Sequence, residues 1–343
     1  MELAEGFYHE AAKPILTENF PGLIYSAALI GHGSEVLGFD TAMSADHNWG
    51  PRVILFLAPR EFTSKKDIIH ETLARKLPRN YRGYSTNFSE PDIDDNGTQQ
   101  LRLIKSGPVN HRVETFTIAG FFNAYLGVDI GQEMETIDWL TLPQQKLRSI
   151  VAGKVFHDGL GLEKIKQRFG WYPPDAWLFI LASLWARIGQ EEHLTGRSGI
   201  MDDEVGSSII ASRLVRDMMR LALLMHKEYP PYAKWLGTAF NRLKCSSELG
   251  PVFTQIMHSC SWQERDKHLA AAYTILAEMH NALGITAPLS AATKLFWGRP
   301  FKVIGGEKFT AALLEKITDP QITSLMRRSP IGSIDILSDN SDM

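Results

Sequence analysis

The sequence is poor in cysteine, has no excess of basic residues and contains no long apolar run, and each shortage excludes a class of protein. Its two cysteines, Cys245 and Cys260, lack a Cys-x-x-Cys spacing, which argues against a disulfide framework and a structural zinc site. The formal net charge of -3 gives no strong nucleic-acid signal and no membrane-surface signal. No segment reaches the roughly 18 consecutive apolar residues of a membrane span.

The first ten residues, MELAEGFYHE, are acidic and lack the apolar core of a signal peptide. Together with the scarcity of cysteine, this pattern predicts a soluble protein of a reducing compartment, which we take to be the cytoplasm.

Length and apolar spacing predict two domains of the α+β class. The 343 residues suffice for two domains, and short apolar strands among helices predict a small mixed sheet with flanking helices over residues 1–160. Apolar residues then recur at helical spacing, which predicts an α-helical bundle over residues 161–343. Three long segments show this spacing: residues 176–194, 204–227 and 262–283. We expect residues 81–100 to form a polar loop and the tail, residues 332–339, to fray.

Two apolar strands bracket a polar crossing near the N-terminus. Leu23–Ile30 ends in the turn Gly31-His32-Gly33-Ser34, and Arg52–Leu57 reads as a second buried strand. The crossing carries Asp40, Asp46, His47 and Asn48. A Gly-Ser turn lets backbone amides and a hydroxyl approach a phosphate, and carboxylates beside it can hold Mg²⁺. This layout suits phosphoryl or nucleotidyl chemistry.

The turn and the crossing resemble a known signature. Gly33-Ser34 followed by Asp46-His47-Asn48 looks like the Gly-Ser…Asp-x-Asp motif of polymerase-β-type nucleotidyltransferases, to which the kanamycin and other aminoglycoside nucleotidyltransferases belong. Residues 33–52 resemble more closely an uncharacterised domain-of-unknown-function family within that superfamily. Four segments of the second half resemble the same family: residues 190–192, 196–197, 203–207 and 213–217.

The resemblance implies metal-dependent transfer of a nucleoside monophosphate from a nucleoside triphosphate to a small-molecule acceptor that the sequence does not specify. It implies a metal site for Mg²⁺ (or Mn²⁺) at Asp46 and Asn48, with Asp46 also catalytic. Glu114 is the candidate third carboxylate. It lies in residues 111–118, where apolar and polar residues alternate as in a strand, and a solvent-facing strand glutamate fits the same pattern. The expected nucleotide-binding residues are Gly33, Ser34, Asp40, His47, Arg197, Arg213 and Arg216.

One residue departs from the signature. The second aspartate is replaced by Asn48, whose amide oxygen can ligate a metal but brings no negative charge. The sequence therefore leaves two functions open: an active nucleotidyltransferase, or a catalytically impaired nucleotide-binding or regulatory pseudoenzyme. A ribonuclease-like or interaction module that uses the helical half is a third interpretation.

Charged residues in the helical half allow two interpretations each. Arg213, Arg216, Asp217 and Arg220 fall at i, i+3, i+4 and i+7, so they form one stripe. That stripe is either a solvated helix face or a clamp for phosphates, because guanidinium groups match phosphate oxygens bidentately. Four acids are candidates for a general base toward the acceptor, or for acids that favour helix starts: Glu191, Glu192, Asp203 and Glu204.

Overall fold

A computed structural model describes residues 1–41, 43, 49–95, 97–327 and 331–338. The chain forms two compact units, one of residues 1–133 and 146–170 and the other of residues 134–145 and 171–343. A small mixed sheet with flanking helices, accompanied by many further helices, confirms the α+β class. The assignment of residues 1–160 and 161–343 to a nucleotidyltransferase-like domain and a helical bundle domain stays a prediction.

The first unit is built on a sheet of four strands flanked by helices. Its strands, with a small hairpin, are β1 Tyr25–Leu29, β2 Arg52–Leu57, β3 Asn80–Tyr81, β4 Tyr84–Ser85, β5 Arg112–Phe116 and β6 Lys154–Asp158. Its helices are α1 Glu2–Phe7, α2 Lys13–Asn19, α3 Ser34–Leu37, α4 Pro59–Lys76, α5 Ile118–Leu126, α6 Gln144–Ala152 and α7 Leu162–Gln167. A π-helical turn, Tyr8–Ala12, joins α1 to α2, and the chain enters this unit from the second one inside α6.

The strand order β5-β2-β1-β6 brings four strand ends to one edge of the sheet. Strand β1 runs antiparallel to β2 and β6, with Ala28 opposite Ile54 and Leu29 opposite Lys154. Strand β5 runs parallel to β2, with Arg112 beside Arg52. The C-terminal end of β1 therefore lies at the same edge as the N-terminal ends of β2, β5 and β6. We call this the Gly-Ser edge, because the turn ending in Ser34 leaves β1 there.

Strand β2 is buried on both faces, since every one of its six residues is buried. Val53, Leu55 and Leu57 alternate along one face and pack in a core with the N-terminal helices and α4. The opposite face carries Arg52, Ile54 and Phe56, and the ring of Phe56 contacts Phe121 of α5 edge-on, at a centroid distance of 5.4 Å. The apolar run recognised in the sequence is thus a central strand, and its first residue, Arg52, lies at the Gly-Ser edge.

The second unit is largely helical. Its longer helices are α8 Pro174–Glu191, α10 Glu204–Met225, α12 Ser246–His258 and α13 Trp262–Ala282. Its shorter elements are α9 Leu194–Ile200, α11 Ala233–Phe240, β7 Lys294–Leu295, β8 Lys302–Val303, α14 Gly306–Leu314, α15 Pro320–Met326 and α16 Ile334–Ser338. Helices α8 and α14 pack closely because Gly306 lacks a side chain: a Cβ there would lie 2.4 Å from the backbone oxygen of Trp185.

The tail differs from the expectation of a frayed end within its described residues. Ser333 and Ile336 are buried, and the backbone amide of Gln144 donates to both carboxylate oxygens of Asp335, at 3.1 and 3.2 Å. Arg187 also donates to the backbone oxygen of Ile336. Local polarity suggested fraying, but these distant partners hold the segment in place.

Within the predicted loop of residues 81–100, Asp92, Asp94 and Asp95 are exposed as expected. The same range differs from a plain polar loop in its strand β4 and in the buried residues 85–88. Among the described residues, no helix combines the length and the hydropathy needed to cross a bilayer.

Candidate functional site

Glycine is required at the centre of the Gly-Ser turn. Gly33 adopts φ +131°, in the region that favours glycine, and Gly31 adopts +88°. A Cβ at Gly33 would lie 2.1 Å from Nη2 of Arg52 and 2.4 Å from Oε2 of Glu35. The turn therefore packs directly against charged side chains and delivers Ser34 to the Gly-Ser edge as the first residue of α3.

Those charged side chains form a buried ion pair that the sequence interpretation missed. Nε of Arg52 donates to Oε1 of Glu35 at 2.7 Å, and both residues are buried. Nη2 of Arg52 also donates to the backbone oxygen of His32 at 2.5 Å. Arg52 thus ties the start of β2 to the turn after β1. The sequence did offer a signal: the acid Glu35 directly precedes the apolar pair Val36-Leu37, and the basic Arg52 begins a buried strand.

Several charged groups act on His32 at this edge. The imidazole contacts Tyr125 edge-on, at a centroid distance of 4.8 Å. Burial lowers the pKa of His32, and the positive charges of Arg52, Lys146 and Arg112 lower it further, while Glu114 opposes them. The cations that act on His32 therefore outnumber the acid that opposes them, which favours the neutral imidazole.

Glu114 lies on the face of the sheet that Arg52 occupies. Glu114 pairs in register with Ile54, two residues beyond Arg52, and residues two apart on a strand share a face. Nη2 of Arg112 donates to Oε1 of Glu114 at 2.8 Å, and the Glu114 side chain is 43% exposed. An accessible carboxylate beside a cation can receive a metal ion or remain a surface ion pair, so both interpretations of Glu114 fit this geometry.

The other proposed metal ligands, Asp46 and Asn48, lie outside the described residues, as does His47. Asp40, at the start of the crossing, is exposed. Within the described residues no three His, Cys, Asp or Glu side chains come together in a way that could hold a metal ion. A metal site at the Gly-Ser edge therefore depends on Asp46 and Asn48 joining Glu114. All three offer hard oxygen ligands, which suit Mg²⁺.

An open groove of about 360 Å³ runs beside the edge strand β5. Residues of β5, including Glu114 and Phe116, form one wall, and Lys66, Asp67 and His70 of α4 also line it. This volume falls in the range of small-molecule sites, at about 300–1,000 Å³. Glu114 is thus one of the residues that line the groove.

His111, at the base of this groove, has a defined tautomer. The backbone amide of Val113 donates to Nδ1 at 3.1 Å, so the ring proton is on Nε2, which donates to the backbone oxygen of His70 at 3.0 Å. Burial lowers the pKa of His111 to about 4. Protonation would place a hydrogen on Nδ1 against the Val113 amide, so the fold requires the neutral ring.

Two buried histidines predict acid sensitivity. The pKa values of His111 and His280 are both lowered to about 4 by burial, whereas an unfolded histidine titrates near 6.5. Between these values the unfolded chain binds more protons, so stability is lost as the pH falls from 6.5 to 4. The loss should approach about 3 kcal/mol per histidine. Glu192 has the opposite effect between about pH 4.5 and 7: burial raises the pKa of its carboxyl to about 7, so its contribution to stability grows as the pH falls.

Denaturant unfolding at pH 7, 5.5 and 4.5 measures this dependence. His111→Gln and His280→Gln should each reduce the difference in unfolding free energy between pH 7 and 4.5, whatever their effect at pH 7. His258→Gln, at an exposed position, is the control and should leave the difference unchanged. An unaltered difference in both buried variants would contradict the assignment.

In the second unit, Glu192 accepts three successive backbone amides. The amide of Ile304 donates at 2.5 Å, that of Gly305 at 3.0 Å and that of Gly306 at 3.2 Å. The carboxylate is buried and joins the end of α8 to the start of α14. Burial raises the pKa of Glu192 to about 7 against the lowering effect of the amides. This arrangement supports a structural role rather than the predicted catalytic one.

Glu191 and Arg213, predicted as catalytic and nucleotide-binding residues, form an ion pair with Nη2 of Arg213 2.5 Å from Oε1 of Glu191. The Arg213 side chain is half exposed, whereas Arg197 is an exposed residue of α9. The structure therefore brings together two of the predicted residues of this half, of which Arg213 keeps an accessible flank while Oε2 of Glu191 is buried.

The arginine stripe of α10 is not the fully solvated helix face of the first interpretation. Asp217 is 1% exposed and accepts a hydrogen bond from Nε of Arg187 of α8 at 3.0 Å. Nε of Arg216 lies 3.6 Å from the other oxygen of Asp217. The stripe faces α8 along part of its length, because helix periodicity alone does not reveal the packing of a neighbouring helix.

Asp203 and Glu204 serve the start of α10 and its neighbour. Asp203 accepts the amide of Gly206 as a helix cap, and Glu204 accepts the amide of Trp262 and pairs with Arg265 at 3.1 Å. For these two residues the helix-start interpretation fits the contacts.

Comparison with known proteins gives one partial match. A search of curated proteins finds no match for this chain. Under a third of the chain is matched by a family model, and the matched segment excludes the Gly-Ser turn and includes α8, α9 and α10. Residues 139–236 match the model of a family described as a domain of unknown function, DUF4037.

Proposed function

We propose that the chain is a nucleotidyltransferase-like protein that binds a metal-complexed nucleoside triphosphate at the Gly-Ser edge and transfers its nucleoside monophosphate to a small-molecule acceptor. One observation carries the proposal: the Gly33-Ser34 turn follows β1 and Glu114 lies on β5, the two strands that flank β2 in one mixed sheet, with Arg52 at the start of β2. The polymerase-β-type signature requires a Gly-Ser turn after one strand and carboxylates on the next two, and this sheet is compatible with that requirement.

Different residues would bind the phosphates and the metal ion. Ser34 and the backbone beside Gly33 would hold the β- and γ-phosphates. Asp46, Asn48 and Glu114 would hold Mg²⁺, which supplies neutralisation of the charge on the leaving pyrophosphate. Arg52 contributes indirectly, because its contacts with Glu35 and His32 fix the shape of the turn.

Asn48 supports the second candidate, a nucleotide-binding or regulatory pseudoenzyme. An amide at that position removes one negative charge from the metal site, and two-metal transfer depends on such charge. A protein with this change can retain metal-dependent nucleotide binding while turnover is slow or absent.

Substitution of the crossing residues separates the two candidates. We expect Asp46→Ala to weaken metal-dependent ATP binding by about tenfold or more, because even outer partners of metal ligands are worth about 10- to 100-fold in affinity. We expect Asn48→Asp to raise pyrophosphate release by restoring the missing charge. Calorimetric titration measures the first effect, and a pyrophosphate-release assay over a panel of hydroxyl acceptors measures the second.

Asp92→Ala removes an exposed acid of the neighbouring loop and is the control for net charge. Mg²⁺-dependent binding without turnover in the native chain would favour the pseudoenzyme. Metal-dependent binding that survives Asp46→Ala would contradict the assigned metal site.

A further inference from the structure

A strained hairpin in the second unit presents a tryptophan to solvent. Strands β7 and β8 pair in register, with Leu295 opposite Lys302, and the chain between them turns through Trp297. Trp297 has φ +51° and ψ +40°, a left-handed conformation that a bulky residue adopts at a cost of about 1–3 kcal/mol. Its side chain is 88% exposed, so burial of the indole does not offset that cost.

Aromatic contacts connect the hairpin to the rest of the second unit. Phe296 stacks on Phe301 at 5.8 Å, and His193 contacts Phe296 edge-on at 4.6 Å. Phe301 in turn packs against α9 so closely that a Cβ at Gly196 would lie 2.5 Å from its ring. These ring contacts tie the hairpin to α9, and Trp297 lies at its exposed turn.

Basic residues surround the exposed indole. Lys294, Arg299 and Lys302 are exposed on the hairpin, and the sequence has no acidic residue between Glu278 and Glu307. Arg299 lies over the Phe296 ring at 5.7 Å.

Neighbouring elements extend this charge. Arg197 of α9 and Arg299 both lower the pKa of His193, and Lys294 lowers that of Lys308 of α14, so these cations lie close together. The acids facing them are Glu307, which acts on His193 and Lys308, the buried Glu192, which acts on Lys308, and Asp266, which accepts the backbone amide of Lys302. Cations outnumber acids here although the whole chain carries a net charge of -3. We define the hairpin patch as Arg197, Lys294, Trp297, Arg299 and Lys302.

We propose that the hairpin patch binds single-stranded nucleic acid, with a base stacked on Trp297 and phosphates beside Lys294, Arg299 and Lys302. A solvent-facing ring offers a platform for any base, and cations around it match the backbone that follows the base. A membrane surface fits less well, because only Leu295 and Trp297 are large exposed apolar side chains on the hairpin. The proposal is independent of nucleotide binding at the Gly-Ser edge.

The test measures binding of fluorescein-labelled single-stranded oligonucleotides, poly(U) and poly(dT) 15-mers, to the full chain by anisotropy without ATP or Mg²⁺. Trp297→Ala should weaken binding about 5- to 100-fold, the value of one base–aromatic stack, and Trp297→Phe should recover most of it. Replacing Lys294, Arg299 and Lys302 with glutamine should lower the slope of log affinity against log salt by about 0.7 for each lost phosphate contact.

Trp235→Ala is the matched control, because Trp235 is a half-buried tryptophan of the same unit with Lys234 over its ring at 5.0 Å. It should leave binding unchanged. Binding that is absent, equal in Trp297→Ala and Trp297→Phe, or matched by a duplex of the same length would overturn the proposal. Trp297-dependent binding to phosphatidylserine vesicles but not to oligonucleotides would overturn it in favour of a membrane surface. Light scattering of the free chain identifies Trp297-dependent self-association, which would also overturn it.

Discussion

Arg52→Ala is expected to lower the free energy of unfolding by about 3–5 kcal/mol, the usual cost of removing one partner of a buried ion pair. The substitution would leave the Glu35 carboxylate buried without its cation and would remove the donor to the His32 backbone oxygen. Both losses fall on the turn that places Gly33 and Ser34. Urea denaturation followed by circular dichroism measures the change, and reading out fluorescence as well checks that the transition stays cooperative.

Two comparisons show whether burial causes the effect. Arg75→Ala breaks an ion pair with Glu71 in which both side chains are largely exposed, and it should cost well under about 1 kcal/mol. Combining Arg52→Met with Glu35→Leu should cost much less than the sum of the single changes, because no charge is then left unpaired. Equal losses for Arg52→Ala and Arg75→Ala would contradict the buried pair.

Glu192→Ala is expected to lower the free energy of unfolding by about 3 kcal/mol or more. The change leaves the amides of Ile304, Gly305 and Gly306 without their acceptor inside the protein, and a buried donor without a partner costs about 1–3 kcal/mol. It also removes a carboxylate that lies against the N-terminal amides of α14, where the helix dipole favours negative charge. Thermal and urea unfolding at pH 5 and pH 8 measure the loss, which should be larger at pH 5, because a carboxyl whose pKa burial raises to about 7 stabilises the folded state less once it is ionised.

The adjacent residue supplies the control. Glu191→Ala breaks the pair with Arg213, whose side chain is half exposed, and should cost at most about 1 kcal/mol. If Glu192 acts structurally, Glu192→Gln should be less destabilising than Glu192→Ala, since its amide oxygen still accepts a hydrogen bond. A fully stable Glu192→Ala variant that loses only activity would instead restore the catalytic role predicted from the sequence.

Sequence pattern was sufficient where the signal is local. The apolar run of residues 52–57 forms β2, and the alternating segment near Glu114 forms β5. The helical spacing of residues 176–194 and 204–227 matches α8 and α10 within a few residues. Each of these elements buries a face that its own sequence records, so periodicity is enough to place it.

Pattern failed where a residue's partner is distant in the chain. Glu192 looked like one of four equivalent acids, because the amides that bind it lie over a hundred residues later. Asp335 looked like part of a polar tail for the same reason, since it accepts from Gln144. At the candidate site, the local sequence was enough to predict a turn at Gly33 and Ser34. The Arg52–Glu35 pair could not be predicted in this way, because it forms only when β1 pairs with β2. Net charge likewise concealed the hairpin patch, because a sum over the chain averages local clusters.

Calorimetric titration of ATP into the full chain, with and without Mg²⁺, tests the central claim most directly. The account predicts saturable binding with one ATP per chain that requires Mg²⁺ and is weakened about tenfold or more in Asp46→Ala but not in Asp92→Ala. Absence of binding under both conditions, or binding of equal strength without the metal, would contradict a metal-nucleotide site at the Gly-Ser edge.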